Sequence, residues 1–311
     1  MAYNLDLFGK KMMQIRQNLC LTKNRICELT GIDPVTIRRI EKGKVVPRLD
    51  TLEILSPIFK QDLSELLLKY RLDDFSTFYE IKNVLETKLD KGEFYTLHLE
   101  LKSLENLLTS TNNPYYKMLI KQLVLFNKAI ILYENSDNDK SLKTLINAIK
   151  ITTPLFALKT YDSFVYSSME IRILMNIAFI LNRLNNKEKY LEVIEFCINS
   201  VDPDEEIYHK LCHNLAGAYI RNKDFTMALK YFDLGIKSCR ENRNLNGLPL
   251  LYYGKGVAEY RLNKEAYIES LKTSIYLCKA FGQAKLENTI INNCKEFLGM
   301  DLYIRLSEIF E

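Results

Sequence analysis

An asparagine followed two residues later by an alanine recurs three times in this chain, at Asn127/Ala129, Asn176/Ala178 and Asn214/Ala216. Fourteen residues after each Asn stands Ser141, Tyr190 or Ala228; eighteen after it stands Leu145, Ile194 or Phe232; twenty-one after it stands Ala148, Cys197 or Gly235. Small and bulky positions repeated at fixed intervals let two antiparallel helices approach closely and let each pair stack on the next. After about Tyr70 glycine and proline are scarce and fall at breaks such as "TNNP", "VDPD" and "NLNGLP". The fold class expected is therefore all-α, with most of the chain an α-superhelical stack of helix pairs.

The third of these segments resembles a tetratricopeptide repeat: Leu215, Ala216, Tyr219, Ala228, Phe232 and Gly235 match its pattern. "YYGKGVAEYRLNKEAYIESLKTSI" resembles a fourth, with Gly256, Ala258 and Leu271 and a slightly shorter loop. The Asn spacings, 49 and 38, exceed the roughly 34 residues usual for such repeats, so longer helices or loops are expected. The resemblance implies a concave face made by the first helix of each pair, where extended peptide binds. Asn127, Asn176 and Asn214 hold one position on those helices. A side-chain amide both donates and accepts, so it can hold a peptide backbone without reading its sequence; the plainer alternative is that each Asn bonds within its own turn or to solvent. Tyr166, Tyr219, Tyr252 and Tyr253 are candidates for side-chain pockets along the same surface.

Nearer the N-terminus, "GIDPVTIRRIEKG" encodes one short helix. Asp33 can cap it, Pro34 suits its first position and Gly43 can end it. At 100° per residue Ile37 and Ile40 share one side, while Val35, Arg38, Arg39 and Lys42 share the other. Alone this reads as a solvated charged face. Its surroundings give it a second meaning. Phe8, Met12, Ile15 and Leu19 mark a preceding helix. Thr22 caps another with Ile26 and Leu29 inward, Gly31 turns into the short helix, and Leu52 and Leu55 face inward from a fourth. That order is a helix-turn-helix, whose second helix enters the DNA major groove.

Residues 8–66 resemble the helix-turn-helix domain of lambda-repressor and xenobiotic-response-element (XRE) type. The likeness lies in Ile15-Arg16, Leu21-Thr22, Gly31-Ile32, Thr36-Ile37, Arg39-Ile40-Glu41, Gly43-Lys44, Pro47 and Leu52. It implies a five-helix module with Pro34, Val35, Arg38 and Arg39 at base-reading positions. Arginine pairs with the O6 and N7 of guanine, and valine packs on a thymine methyl. Lys23, Thr36, Lys42, Lys44 and Arg48 are the phosphate candidates. Lys23 stands where the family usually has glutamine, and Pro34 where it usually has a polar residue. Arg16 and Glu41 fall where the family has a structural ion pair.

Charge supports this division. Residues 1–67 hold 11 Lys/Arg against 8 Asp/Glu, a net +3, whereas the remainder holds 32 against 31. Two domains are expected, 1–68 for DNA and 69–311 for peptide binding and dimerisation. So weakly basic a module needs a dimer on a two-fold operator. The surplus apolar residues of "TIINNCKEFLGMDLYIRLSEIF" (Ile290, Ile291, Phe297, Leu298, Leu302, Ile304) are the expected dimer surface.

Other chemistries find little footing. No stretch approaches the ~18 apolar residues of a membrane span, and the N-terminus lacks an apolar signal segment, so a cytoplasmic location and no membrane partner are expected. Seven cysteines at 20, 27, 197, 212, 239, 278 and 294 form no Cys-x-x-Cys and read as buried hydrophobes. "HKLCH" puts His209, Cys212 and His213 together but lacks a second ligand pair. No Gly-rich phosphate loop, nucleophile elbow or carboxylate pair is present. No enzyme, cofactor or metal is therefore expected. The whole layout resembles the peptide-responsive regulators of Gram-positive bacteria, the Rgg and PlcR type of the RRNPP group. That resemblance implies a homodimeric quorum-sensing transcription factor with a short imported peptide as its signal. A regulator whose repeats bind a partner protein instead would use the same helices. Gly254 departs from the asparagine frequent there in that group.

Overall fold

In the computed structural model, which describes residues 3–71, 73–111, 113–242 and 245–299, every regular element is helical. The chain divides into two compact units, residues 1–83 and 84–311. The division falls inside α6 (Asp73–Lys91) rather than at the 68/69 junction expected from sequence.

The first unit contains α1 (Leu5–Asn18), α2 (Lys23–Thr30), α3 (Pro34–Glu41), α4 (Leu49–Phe59) and α5 (Leu63–Lys69). Local signals start and stop them. Asn4, Thr22, Asp33 and Asp62 each accept a main-chain N–H of the helix they precede, and Gly31 and Gly43 take φ of 74° and 64° at helix ends. Phe8, Met12, Ile26, Ile37, Ile40, Leu52, Leu55, Phe59 and Leu63 make one core. At about 1.5–3 kcal/mol for each large side chain buried, that core drives the folding of this small unit. Gly9 is what lets α1 cross the end of α3: a Cβ there would sit 2.5 Å from the Glu41 carbonyl oxygen. Leu29, expected inward, is 48% exposed, so Ile26 alone anchors α2 from that pair.

In the second unit α6 is followed by α7 (Leu97–Ser110), and then come the pairs α8 (Pro114–Glu134) with α9 (Asn138–Ile149), α10 (Ser168–Arg183) with α11 (Lys187–Asn199), α12 (Tyr208–Arg221) with α13 (Phe225–Glu241) and α14 (Leu248–Arg261) with α15 (Tyr267–Ala280). Each pair turns on one left-handed residue, Ser136, Asn185, Lys223 or Asn263. The next residue caps the second helix in the first three pairs: Asp137, Asn186 and Asp224 accept from the third residue beyond. The small and bulky repeat positions Ser141, Leu145, Ala148, Tyr190, Ile194, Cys197, Ala228 and Phe232 are all buried between helices. Counted back from these turns, the fourth equivalent of the repeated Asn is Gly254. A Cβ there would come within 2.2 Å of the Phe232 ring, so the ring already fills that place.

The interval of 49 residues between the first two asparagines comes from the connection between α9 and α10, where Tyr161 and Tyr166 pack on Phe196 and Phe156 packs on Tyr166. At the other end α16 (Ala284–Leu298) closes the stack. Ile290, Cys294 and Leu298 share a core with Leu271, Ile275 and Cys278. Ile290 and Leu298 are thus used inside the protomer rather than offered to a second one, and Ile291 packs against the same core. The Phe297 side chain, Leu302 and Ile304 lie outside the described residues.

Candidate nucleic-acid interface and ligand groove

Helix α3 presents the two faces its sequence requires. Ile37 and Ile40 are fully buried, while Val35 is 49% exposed and Arg38, Arg39 and Lys42 face solvent beside it. Pro34 and Thr36 are half-buried at its first turn, and Lys44 and Arg48 are exposed just beyond it. Among the described residues none of Arg38, Arg39, Lys42, Lys44 and Arg48 has a carboxylate partner. The exposed side of α3 and the segment after it therefore carry five cations without a carboxylate partner and one apolar contact.

Behind it the helices are locked by Glu41. Arg16 Nε donates to Oε1 at 2.5 Å, Nη2 to Oε2 at 3.4 Å, and Nη1 to the Leu21 carbonyl at 2.8 Å. The Glu41 carboxylate is only 3% exposed, and it draws in a second cation: Lys23 Nζ lies 3.1 Å from Oε2. This corrects the expectation for Lys23, whose ammonium is held against Glu41 instead of standing free for a phosphate. A buried carboxylate with one cation beside it is still a strong trap for another.

The three asparagines of the repeats do not share one fate. Asn127 is 1% exposed, and its Nδ2 donates to the Leu97 carbonyl at 3.1 Å, because α7 and the turn before it cover that face of α8. It faces the core rather than a groove. Asn176 Nδ2 donates to the Arg172 carbonyl at 2.8 Å, and Asn214 Nδ2 to the Lys210 carbonyl at 2.7 Å, each one turn back in its own helix. Those two remain half-buried; the Asn214 amide also reaches Met175 Sδ at 3.5 Å.

Asn176 lines a cavity of about 320 Å³ together with Phe126, Ile130, Arg172, Met175, Phe179 and Lys210. None of the four tyrosines expected as pockets lines this cavity. Tyr166 is buried and donates to the Tyr161 carbonyl at 2.6 Å. Tyr219 stacks on Tyr231 and donates to Glu195 at 3.0 Å, and burial pushes its hydroxyl up to about 12. Tyr252 accepts from Arg240, and Tyr253 packs on the core of α15 and α16. The reason is shared: a tyrosine in a packed stack buries its ring between neighbours and satisfies its hydroxyl locally.

Two cations that sequence reasoning overlooked dominate the cavity. Arg172 Nη1 donates to the Glu86 carboxylate, its guanidinium lies 5.5 Å from the centre of the Phe126 ring, and burial pushes it down to about 10. Lys210 Nζ is 3.8 Å from the same carboxylate. Both precede a repeated Asn by four residues, a regularity present in the sequence. His209, beside Lys210, is pushed down to about 4, chiefly by burial and secondly by the Lys210 charge. No group of three metal-ligating side chains occurs among the described residues, and no helix there is long and apolar enough to cross a membrane.

Residues 12–66 match the helix-turn-helix family. Over 57 residues, 18% of this chain and 31% of the relative, the sequence is 39% identical to the HTH-type transcriptional regulator PuuR of Escherichia coli. Over 191 residues, 52% of this chain and 29% of the relative, it is 27% identical to the CRISPR-associated protein MJ1674 of Methanocaldococcus jannaschii. The chain thus spans less than a third of the length of these curated relatives.

Solved structures match much further along the chain. PlcR of Bacillus thuringiensis, in complex with the peptide PapR7 and DNA, superposes with a TM-score of 0.67 at 15% identity, over 92% of this chain and 99% of PlcR. The SHP pheromone receptor Rgg2 of Streptococcus dysgalactiae gives 0.54 at 14% identity, over 93% and 99%. ComR from S. thermophilus, in complex with DNA and its signalling peptide ComS, gives 0.52 at 16% identity, over 91% and 97%. At these identities the likeness is one of fold: an XRE-type helix-turn-helix unit followed by a helical repeat unit, as in the peptide-responsive regulators of the RRNPP group.

Proposed function

We propose that this chain is a quorum-sensing transcriptional regulator. It binds operator DNA through α3 and a short extended peptide through the groove of its repeats, and the peptide gates DNA binding. The observation that carries the reading is the outward strip of α3, where Arg38 and Arg39 stand exposed and unpaired beside Val35 on a rigidly anchored helix. Arginines so placed can fork onto guanine edges, while Thr36, Lys42, Lys44 and Arg48 flank them for phosphates. The peptide half is supported by the cavity beside Asn176 and by the fold shared with PlcR and ComR, both solved with a peptide and DNA. The protein acts without catalysis, in the cytoplasm. It acts as a homodimer, because phosphate contacts dominate affinity and one unit with this little positive charge binds DNA weakly.

The test begins with selection of bound sequences from random duplex DNA by the full-length protein. Arg39→Ala is expected to lower discrimination between the selected site and random DNA by about 1–3 kcal/mol, whereas Lys44→Ala weakens both alike. Wild-type discrimination in Arg39→Ala refutes the assigned reading face.

A further inference from the structure

Arg172, its side chain 11% exposed, is a cation with more donors than acceptors. A guanidinium has five N–H groups. Among the described residues only Nη1 of Arg172 finds an acceptor, the carboxylate of Glu86, which comes from α6. The Phe126 ring holds one face of the group, and its remaining edge borders the cavity lined by Ile130, Met175 and Phe179. Nη2 and Nε therefore lack an acceptor among the described residues, beside a cavity whose lining joins these apolar side chains to Lys210 and Glu134. Donors at a cavity edge with no protein acceptor are left for solvent or a ligand to satisfy.

We propose that this edge of Arg172 receives a carboxylate of the peptide ligand, and that Glu86 is the built-in rival for it. The proposal rests on the peptide reading above. A carboxylate fits a guanidinium edge with two parallel bonds, and the exclusion of water strengthens both. Two carboxylates on one guanidinium repel each other, and Lys210, 3.8 Å from Glu86, is the second cation that draws Glu86 aside. Arg172 and Lys210 stand at the same repeat position, and each main-chain carbonyl is held by the amide of Asn176 or Asn214. The apolar lining sets the rest of the ligand: an apolar side chain next to the acidic group. The carboxylate belongs either to an acidic side chain or to the peptide's free C-terminus.

Three synthetic N-acetylated heptapeptide libraries built from Leu, Ile, Val, Phe, Pro and Ser separate these sources. One ends in a free acid; one ends in an amide and carries a single Glu at a random position; one ends in an amide and is neutral. Retention by the full-length protein is read by gel filtration and mass spectrometry. One acidic library is expected to be retained at least about tenfold over the neutral one, the effect of a desolvated charge-assisted pair, and which one names the source. Glu86→Gln raises retention of that library several-fold and leaves the neutral library unchanged. Arg172→Lys keeps the charge but loses the fork, and cuts the acidic preference about tenfold. Circular dichroism checks that both variants fold; should either not, the wild-type libraries still decide. Equal retention of all three libraries overturns the carboxylate site and leaves the peptide reading standing. An acidic preference unchanged in a folded Glu86→Gln overturns the rivalry. Retention of no library overturns both readings.

Discussion

Each unit of this protein contains an arginine, a glutamate and a lysine gathered on one carboxylate, and the two triads differ in how far they are satisfied. In the first unit Arg16 uses all three of its nitrogens, on both oxygens of Glu41 and on the Leu21 carbonyl, and Lys23 closes the remaining side. Helices α1, α2 and α3 are clamped together by that set. In the repeat unit Arg172 uses one nitrogen on Glu86, and its side chain borders a cavity. The same three residue types thus make a closed fastening in one place and leave an open guanidinium edge in the other. What separates them is the count of acceptors around the guanidinium, a quantity that residue types alone do not reveal.

The largest effect that can break this comparison is on stability. Glu41→Ala strands the buried Arg16 charge and is expected to cost about 3–5 kcal/mol in denaturant unfolding. Glu86→Gln keeps a hydrogen-bond acceptor at the cavity edge and is expected to cost less than half as much. Equal costs would mean that both triads are fastenings.

The units also differ in their response to acid. All three histidines, at 98, 209 and 213, lie in the second unit. His209 is held neutral, with its pKa down at about 4 against an ordinary 6.5. The unfolded chain binds this proton first as pH falls, so the stabilisation is full above pH 6.5 and is lost progressively toward pH 4. A depression of that size corresponds to about 3 kcal/mol for the repeat unit. His213, also pushed down by burial, adds in the same direction. Unfolding measured from pH 7 to 5 should weaken the second unit while sparing the first. His209→Gln should flatten the profile, and an unflattened profile would discount this group.

A smaller effect sorts the asparagines. Asn127→Ala leaves the Leu97 carbonyl without its amide in the core and is expected to cost about 1–3 kcal/mol of stability. Asn176→Ala gives up a bond to a carbonyl already within a helix and should cost about 1 kcal/mol or less. The smallest effect is at Lys23. Its side chain is 31% exposed, so Lys23→Met should change stability by about 1 kcal/mol or less. Held by Glu41, it should also leave the slope of DNA affinity against salt unchanged; a slope reduced by about 1 would restore the phosphate role.

What was legible in the sequence was what is encoded locally. Asp33, Pro34 and Gly43 delimit α3 by rules that need no tertiary partner, and they hold. The repeat register was legible because stacking demands small residues at fixed intervals, and Ala129, Ala178 and Ala216 are all fully buried. What was hidden depends on a third element. Asn127 looks like Asn176 until α7 lies over it. Lys23 looks like a phosphate ligand until Glu41 lies beside it. Ile290 looks surplus until α16 packs on α15. Arg172 and Lys210 could have been found by reading one turn back from each asparagine, but their importance comes from Glu86, far away in the chain.

The Phe232 ring over Gly254 bears on length. With that ring filling the fourth position and Asn127 turned into the core, Asn176 and Asn214 are the two repeated amides left at half-buried positions. Neighbouring first helices in such stacks lie roughly 10 Å apart, and extended backbone advances about 3.3 Å per residue. Two amides one repeat apart therefore span about three residues of a bound chain. A ligand gripped over so short a stretch is measured by its end groups rather than by its middle. For the peptide proposed above, shortening or lengthening by one residue moves its charged group out of register with its apolar one, so the proposed site implies selection by ruler as well as by composition.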